Sequence, residues 1–336
     1  MPDNKLQRFI MHAWMRRGWF ACLLWPLAQL FGALLVLRRG WYRLGWLQQQ
    51  KLSVPVIVVG NIFVGGTGKT PFTLWLLEQL KQAGYIPGVV SRGYGSQQHL
   101  PQIVSRDALA TQVGDEPILL AQSGCPVVVG RNRAAAGQTL LSAYPAVNVI
   151  IADDGLQHLA LARDVEIMLF DGRGVGNGWL LPAGPLREPV SRRRDVTVAN
   201  LNPGELLNAA FPADTVRMQL NGDCTRQLLN SGNTRLLSNL DAGLRITAAA
   251  GIGNPERFFY MLRQQGLRFA SLPLPDHFNF ASNPFAAITA DMILITEKDA
   301  VKCRQVPEIA SDPRIWVVAV VAQVEAGVLE KILKLL

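Results

Sequence analysis

Residues 60–70 read Gly-Asn-Ile-Phe-Val-Gly-Gly-Thr-Gly-Lys-Thr, directly after an apolar run at 54–59. A strand that turns through glycines into Gly-Lys-Thr is built to hold phosphate. Gly65, Gly66 and Gly68 let the backbone curl so that successive N–H groups, that of Thr67 among them, converge on one anion. Lys69 can reach terminal phosphates, and the Thr70 hydroxyl can ligate Mg²⁺. Pro71 suits the opening of a helix whose N-terminus faces the phosphates. Leu74, Leu76, Leu77 and Leu80 make that helix apolar. The strict motif has a glycine five positions before Gly68, where this chain has Phe63. An ordinary glycine turn with a surface lysine does not account for strand, glycines and helix together.

A second apolar run, 147–152, ends in Asp153-Asp154. A strand-end aspartate beside a phosphate loop is where P-loop enzymes hold Mg²⁺. Asp171, after the run 165–170, is a further candidate. A lone aspartate there serves equally as a helix N-cap. Two in succession behind a phosphate loop favour the metal. Gln157 and His158 keep polar groups beside the pair. Gly114-Asp115-Glu116-Pro117 sets two carboxylates before an apolar segment, and capping alone explains them. Asp276-His277 lies in a loop marked by Pro273 and Pro275. A loop histidine usually just meets solvent, but only four exist in the chain, and this one adjoins an aspartate at a predicted domain cleft. Arg92 and Tyr94 occupy a loop with hinge glycines. Residues 181–189 are stiffened by prolines and carry Arg187 and Glu188. Arg187, with Arg192–Arg194, offers guanidinium groups to a phosphate or an anionic headgroup. The triplet also reads as a solvated charge run.

These groups need a scaffold. Unalternating apolar runs at 54–59, 87–90, 126–129, 147–152, 165–170 and 196–199 suit parallel strands buried on both faces. The pattern predicts an α/β fold: a P-loop NTPase-like, doubly wound, mostly parallel sheet over 52–204, with ligands at the strand carboxyl ends. Residues 205–240 are polar and turn-rich and read as a connector with a hairpin. A second, smaller α/β unit is expected over 241–336, with strands at 245–250, 292–296 and 315–321 and a helix at 256–265, closing the cleft. Gly251-Ile-Gly-Asn-Pro255 opens that helix. It suits a tight connection as well as a place along the nucleotide pocket.

The formal charge of +8 is not spread evenly. Residues 1–51 hold eight basic side chains and one acid, whereas the remaining 285 carry 25 basic and 24 acidic groups. The globular part therefore has no electrostatic reason to bind nucleic acid. Four scattered cysteines without paired spacing argue against a disulfide framework and fit a reducing cytosol. Residues 18–37 contain no charge, arginine pairs bracket them, and five of the eight tryptophans lie within residues 1–51. Such a helix would span roughly 30 Å, the depth of a bilayer core. A full span would put Lys5, Arg8, Arg16 and Arg17 on the outer side, against the positive-inside tendency. A monotopic or re-entrant membrane-associated arm over 1–51 is the reading preferred to a transmembrane helix.

Together the segments resemble the tetraacyldisaccharide 4'-kinase family of Gram-negative bacteria. The matching pieces are the 59–71 loop, Ser91-Arg-Gly-Tyr-Gly95, Gly114-Asp-Glu-Pro117, Asp153-Asp-Gly-Leu-Gln-His158, Leu181-Pro-Ala-Gly-Pro-Leu-Arg-Glu188, Gly251-Ile-Gly-Asn-Pro255, Asp276-His277 and Thr296-Glu-Lys-Asp299, in order over some 240 residues. In this family Phe63 is not a departure. The resemblance implies ATP and Mg²⁺, and γ-phosphate transfer to the 4'-hydroxyl of an acylated glucosamine disaccharide 1-phosphate. It places the enzyme at the cytoplasmic face of the inner membrane, and the expectation is a monomer. By similarity, Asp115 is the general base, His277 pairs with it, and Lys69 with the loop amides stabilises γ-phosphate charge. Thr70 with Asp153 or Asp154 holds the metal. Arg92, Tyr94, Gln157, His158, Arg187 and Glu188 are expected to face the substrate. The competing class is a membrane-associated switch ATPase or GTPase. A GTPase should carry Asn-Lys-x-Asp, and Thr296-Glu-Lys-Asp299 has glutamate in the asparagine's place.

Overall fold

The computed structural model describes residues 3–93, 100–105, 107–207 and 211–336. Two helices, α1 (Asp3–Trp14) and α2 (Trp19–Arg43), precede the apolar run that becomes β1 (Val56–Asn61). Every residue of β1 is buried. Val56 and Val58 enter one packed layer, Ile57 and Val59 the other. Burial on both faces removes the reason for polar residues to alternate, so the run is continuous. The strand extends two residues past 59, into the start of the glycine stretch. Gly60 belongs there because a Cβ would stand 2.8 Å from Leu156 Cγ.

The first unit continues through α3 (Lys69–Gln82), β2 (Pro87–Ser91), β3 (Gln102–Ile103), α4 (Ala110–Val113), α5 (Asp115–Ala121), β4 (Val127–Val129), α6 (Arg133–Ala143), β5 (Val149–Asp153), β6 (Val165–Asp171), β7 (Val196–Asn200) and β8 (Val216–Asn221). The second contains β9 (Cys224–Gln227), β10 (Thr234–Leu236), β11 (Ile246–Ala250), α7 (Pro255–Gln264), β12 (Ala270–Pro273), β13 (Met292–Thr296), α8 (Glu297–Cys303), α9 (Pro307–Ala310) and β14 (Ile315–Val318). The chain then returns with β15 (Val321–Val324) and α10 (Val328–Leu333), whose Val328 and Ile332 pack into the first core.

The first sheet runs β15-β8-β7-β6-β1-β5-β2-β4-β3, parallel from β8 to β4, with antiparallel β3 and β15 at its edges. The second runs β10-β9-β14-β13-β11-β12. Strand order reverses at β1, which lies between β5 and β6. A crevice opens at such a switch point, beyond the strand carboxyl ends. Val59 is in register with Asp153, so the phosphate loop and the aspartate pair leave the sheet side by side.

The expected connector at 205–240 is more structured than its composition implies. It supplies β8 to the first sheet and β9 and β10 to the second. The expected strand 315–321 is in fact two, β14 and β15, one in each sheet. Of these, β8, β9, β10 and β15 each make an antiparallel pairing toward a sheet edge and carry partly exposed residues, so the continuous apolar signal is missing.

Phe63 explains the departure from the strict glycine motif. It is fully buried in the core layer on the Val58 face, bridges to Leu186, and carries the Arg173 guanidinium 4.4 Å from its ring centroid. Phe63→Ala should cost about 3–5 kcal/mol, the usual range for emptying an aromatic core site. A urea unfolding curve checks this; an unmoved midpoint would contradict it.

The arm helix α2 runs unbroken through Pro26. Its most apolar 18-residue window has mean hydropathy 2.1 and only 11% of it is buried, so by length and composition it can cross a membrane. The arm is nevertheless seated on the first unit. Trp14 Nε1 donates to Pro182 O at 2.9 Å, Arg17 Nε donates to Asn177 O at 3.1 Å, and Asn177 N donates to Trp14 O at 2.8 Å. Arg39 pairs with buried Glu188. Leu23, Leu27, Leu30, Leu34 and Leu37 stay exposed.

Candidate active site

Gly68 caps α3 at φ +89°, a left-handed conformation, and a Cβ there would lie 2.2 Å from Asn200 Nδ2. Only glycine meets both conditions. The loop is tied from behind. Asn61 Nδ2 donates to Phe63 O (2.8 Å) and Gly65 O (3.0 Å), Arg173 donates to Gly66 O (2.9 Å), and Asn200 Nδ2 donates to Thr67 O (3.1 Å). Engaged carbonyls leave the loop's N–H groups to converge on an anion. Arg257, from α7, donates to Asn200 Oδ1 at 2.6 Å and so links the second unit to the loop. Gly253 lies so close that a Cβ would sit 3.0 Å from Gly66 N. The glycine loop at 251–255 therefore covers the phosphate loop.

The two share a cavity of about 260 Å³. Gly66–Thr70, Glu116 and Lys298 are among its polar lining, and Leu119, Leu220, Phe258 and Met261 among its apolar lining. Lys69 Nζ stands 3.2 Å from Asn61 Oδ1 and 3.5 Å from Asp154 Oδ1. Asp154 also pairs with Arg187 at 3.2 Å. Burial opposes its ionisation, yet the charges of Lys69 and Arg187 prevail and hold it down at about 2. Asp153 behaves oppositely: burial and the Glu116 carboxylate push it up. Ser91 Oγ donates to Asp153 Oδ2 at 3.3 Å, while Asp153 Oδ1 is buried without a hydrogen-bond partner among the described residues. A buried carboxylate oxygen with nothing to accept is a donor suited to a hard cation such as Mg²⁺.

The carboxylates of the Gly114 turn sit in the first turn of α5, at the junction with the second unit. Asp115 is buried; its Oδ2 lies 3.1 Å from His277 Nδ1 and 3.2 Å from Lys302 Nζ. Lys298 Nζ donates to Glu116 Oε1 at 3.0 Å. Burial raises the Asp115 pKa, but the His277 hydrogen bond and the charges of Lys298 and Lys302 outweigh it. They hold the carboxyl far below its ordinary range. His277 has φ +56°, a conformation that costs a non-glycine residue energy and recurs at functional sites.

The other expected residues fall as follows. Arg187 donates to Asn61 O at 2.8 Å and also meets Asn61 Oδ1. Gln157 Nε2 donates to the same Asn61 carbonyl at 3.4 Å. His158 Nε2 accepts from Arg133 N at 3.2 Å; burial and the charges of Arg133 and Arg163 lower it to about 4, so it is neutral at pH 7. Arg92 is exposed past the end of β2. Tyr94 lies outside the described residues. Glu188, expected to face substrate, is buried and bonded to Arg192 (2.5 Å) and Arg39, which seats the arm. Two guanidinium partners and 3% exposure leave it little surface to offer a ligand. Asn61, Asn200, Arg173, Arg257 and Lys302 organise the site but were not legible in advance. Asn61 and Asn200 did carry a signal, as polar residues ending buried strands, the same signal that marks Asp153.

A phosphate loop on the central strand, with a carboxylate beside it that a second unit anchors, makes this a P-loop kinase by fold and site. A family model described as tetraacyldisaccharide-1-P 4'-kinase matches residues 20–336. The chain belongs to the tetraacyldisaccharide 4'-kinase family. Relatives carrying that name include one from Herminiimonas arsenicoxydans, 56% identical over 99% of this chain and 97% of its own. Another, from Janthinobacterium sp. (strain Marseille), is 55% identical over 99% and 97%. One from Bordetella parapertussis is 48% identical over 94% and 92%. The crystal structure of "apo" form LpxK from Aquifex aeolicus in complex with ATP matches with a TM-score of 0.78 at 28% identity, covering 94% of this chain and 99% of that one.

Proposed function

We propose that the protein transfers the γ-phosphate of ATP to the 4'-hydroxyl of a tetraacylated glucosamine disaccharide 1-phosphate, at the cytoplasmic face of the inner membrane. One observation carries the site assignment: the first turn of α5 meets the phosphate loop at a single cavity, which Lys69 and Glu116 both line. Asp115, adjacent to Glu116, is the base. The acceptor oxygen bonds to the γ-phosphorus as the bond from that phosphorus to the bridging oxygen breaks. The electron pair leaves on ADP, and the hydroxyl proton passes to Asp115. A carboxylate held so far below its ordinary pKa is always ionised at pH 7 but weakly basic. It takes the proton late, once the new O–P bond has made the hydroxyl acidic, which suits a loose transition state. His277 orients it.

Lys69 and the loop amides neutralise charge on the transferred group. Thr70 with Asp153 or Asp154 is the set that would hold Mg²⁺, whose charge, when bound, screens the phosphate oxygens. Arg187, Arg92, Gln157, His158 and Tyr94 are assigned to the substrate side, with His158 as a neutral hydrogen-bonding group. Glu188 seats the arm. An acceptor with four acyl chains stays in the bilayer, and the exposed leucines of α2 let the enzyme work at that surface.

The test uses detergent-solubilised protein, γ-labelled ATP, Mg²⁺ and the acylated disaccharide 1-phosphate. Label should enter the lipid fraction and vanish in Lys69→Ala. ATP hydrolysis without lipid labelling would instead favour a switch ATPase.

A further inference from the structure

The segment Thr296-Glu-Lys-Asp299 has no place yet in the reaction. It opens α8. Thr296 Oγ1 accepts from Asp299 N at 3.1 Å, and Asp299 Oδ2 accepts from Gly251 N at 3.0 Å. The helix is thus pinned to the loop that covers the phosphate site. Lys298 and Lys302, four residues apart, lie on one face of α8. They meet the two carboxylates of α5, Lys298 at Glu116 and Lys302 at Asp115.

Lys302 is the more telling of the two. It is 8% exposed, and its Nζ lies 5.8 Å from the ring centroid of fully buried Phe280. Its ammonium reaches Asp115 Oδ2 beside His277 Nδ1, while Glu116 N donates to Oδ1 at 2.9 Å. Three donors from three elements therefore fix the plane of the carboxylate. Oδ1 is braced from α5 itself and Oδ2 wholly from the second unit.

We propose that Lys302 is a positioning residue for phosphoryl transfer: from α8 it holds the Asp115 carboxylate in the orientation in which it meets the acceptor hydroxyl. The inference rests on Asp115 being the base. The charged groups around Asp115 are Lys298 and Lys302 on α8, His277 and Asp276 on the loop before Phe280, Glu116 on α5 and Asp299 beneath Lys302. The two lysines supply permanent positive charge to this group. His277 is charged only when protonated. Without Lys302, Oδ2 keeps His277 alone among the described residues and Oδ1 keeps Glu116 N, so the carboxylate loses one of its three donors and its orientation is held less tightly.

The experiment is a double-mutant cycle on the full chain in detergent, with Asp115→Asn, Lys302→Met and the double variant, all at saturating ATP. Lys302→Met should lower kcat about 10- to 100-fold, the scale of a misplaced catalytic group. The KM for ATP should stay within about twofold, since uniform binding is untouched. Lys302→Arg should recover part of the loss. The double variant should be no slower than Asp115→Asn, because residues acting through one group are not additive. If Asp115→Asn is impaired but Lys302→Met turns over normally, the inference falls and the base assignment stands. A further loss in the double variant equal to that of Lys302→Met alone would also overturn it, as Lys302 would then act elsewhere. An active Asp115→Asn would remove the base assignment itself. Should Lys302→Met fail to fold, Lys302→Gln, polar and uncharged, takes its place in the same cycle.

Discussion

Asp115→Ala is expected to lower kcat by about 10²–10⁴-fold, the usual worth of a positioned base, and to change ATP affinity by less than about twofold. The two effects separate because of where the residue sits. Glu116, its neighbour, lines the phosphate cavity, whereas Asp115 turns inward to His277 and Lys302. Alanine also leaves a buried ammonium without its carboxylate, a change that costs about 3–5 kcal/mol in typical proteins. Asp115→Asn separates the two consequences. It keeps the shape and an acceptor oxygen for Lys302 but is a far poorer base. Both variants should lose kcat, and alanine alone should show a large drop in unfolding midpoint. Steady-state transfer rates, nucleotide titration and denaturant unfolding read the three quantities. A full kcat in Asp115→Asn would exclude the residue from the chemistry.

Lys69→Ala should behave differently, with kcat falling about 10²–10³-fold or more, the cost of deleting one well-placed charge stabiliser, and ATP binding weakening as well. Lys69 lines the cavity, so in the proposed reaction it would meet phosphate in the ground state and in the transition state. It is also held ready: Asn61 and Asp154 fix its ammonium at 3.2 and 3.5 Å. Removing it leaves Asp154 with Arg187 as its ion-pair partner, and the Asp154 pKa should rise from about 2. That residual pairing is why the fold should survive. Single-turnover transfer and a nucleotide titration check the prediction. An ATP affinity unchanged from the parent would mean that Lys69 does not contact the bound nucleotide.

Much of this was legible in the sequence. The runs at 54–59, 147–152, 165–170 and 292–296 are continuous because each strand is buried on both faces, and β1, β5, β6 and β13 form there. The glycines before Lys69 were legible because close approach and a left-handed turn exclude other residues. The short strands β8, β9, β10 and β15 toward the sheet edges were not, since half-exposed strands lack a distinctive apolar run. Nor could the arm be read fully. Its apolar length is written in residues 18–37, but its seat on the 177–188 loop depends on Trp14, Arg17 and Arg39 meeting partners some 150 or more residues away.

The same division runs through the site. By itself the sequence determined a phosphate loop, an acidic strand end and a set of motifs in family order, because each rests on backbone geometry set by neighbouring residues. The resemblance implied that Asp115 and His277 pair, but only the tertiary structure decided that Lys302 joins them and how the groups meet. Asp115 and His277 are 162 positions apart, and Asp115 and Lys302 187. Their contact exists because α5 and α8 pack at the junction of two units between which the chain passes twice. Pairing across such distances leaves no local trace, since it is the burial of both partners together, rather than any run of residues, that holds it.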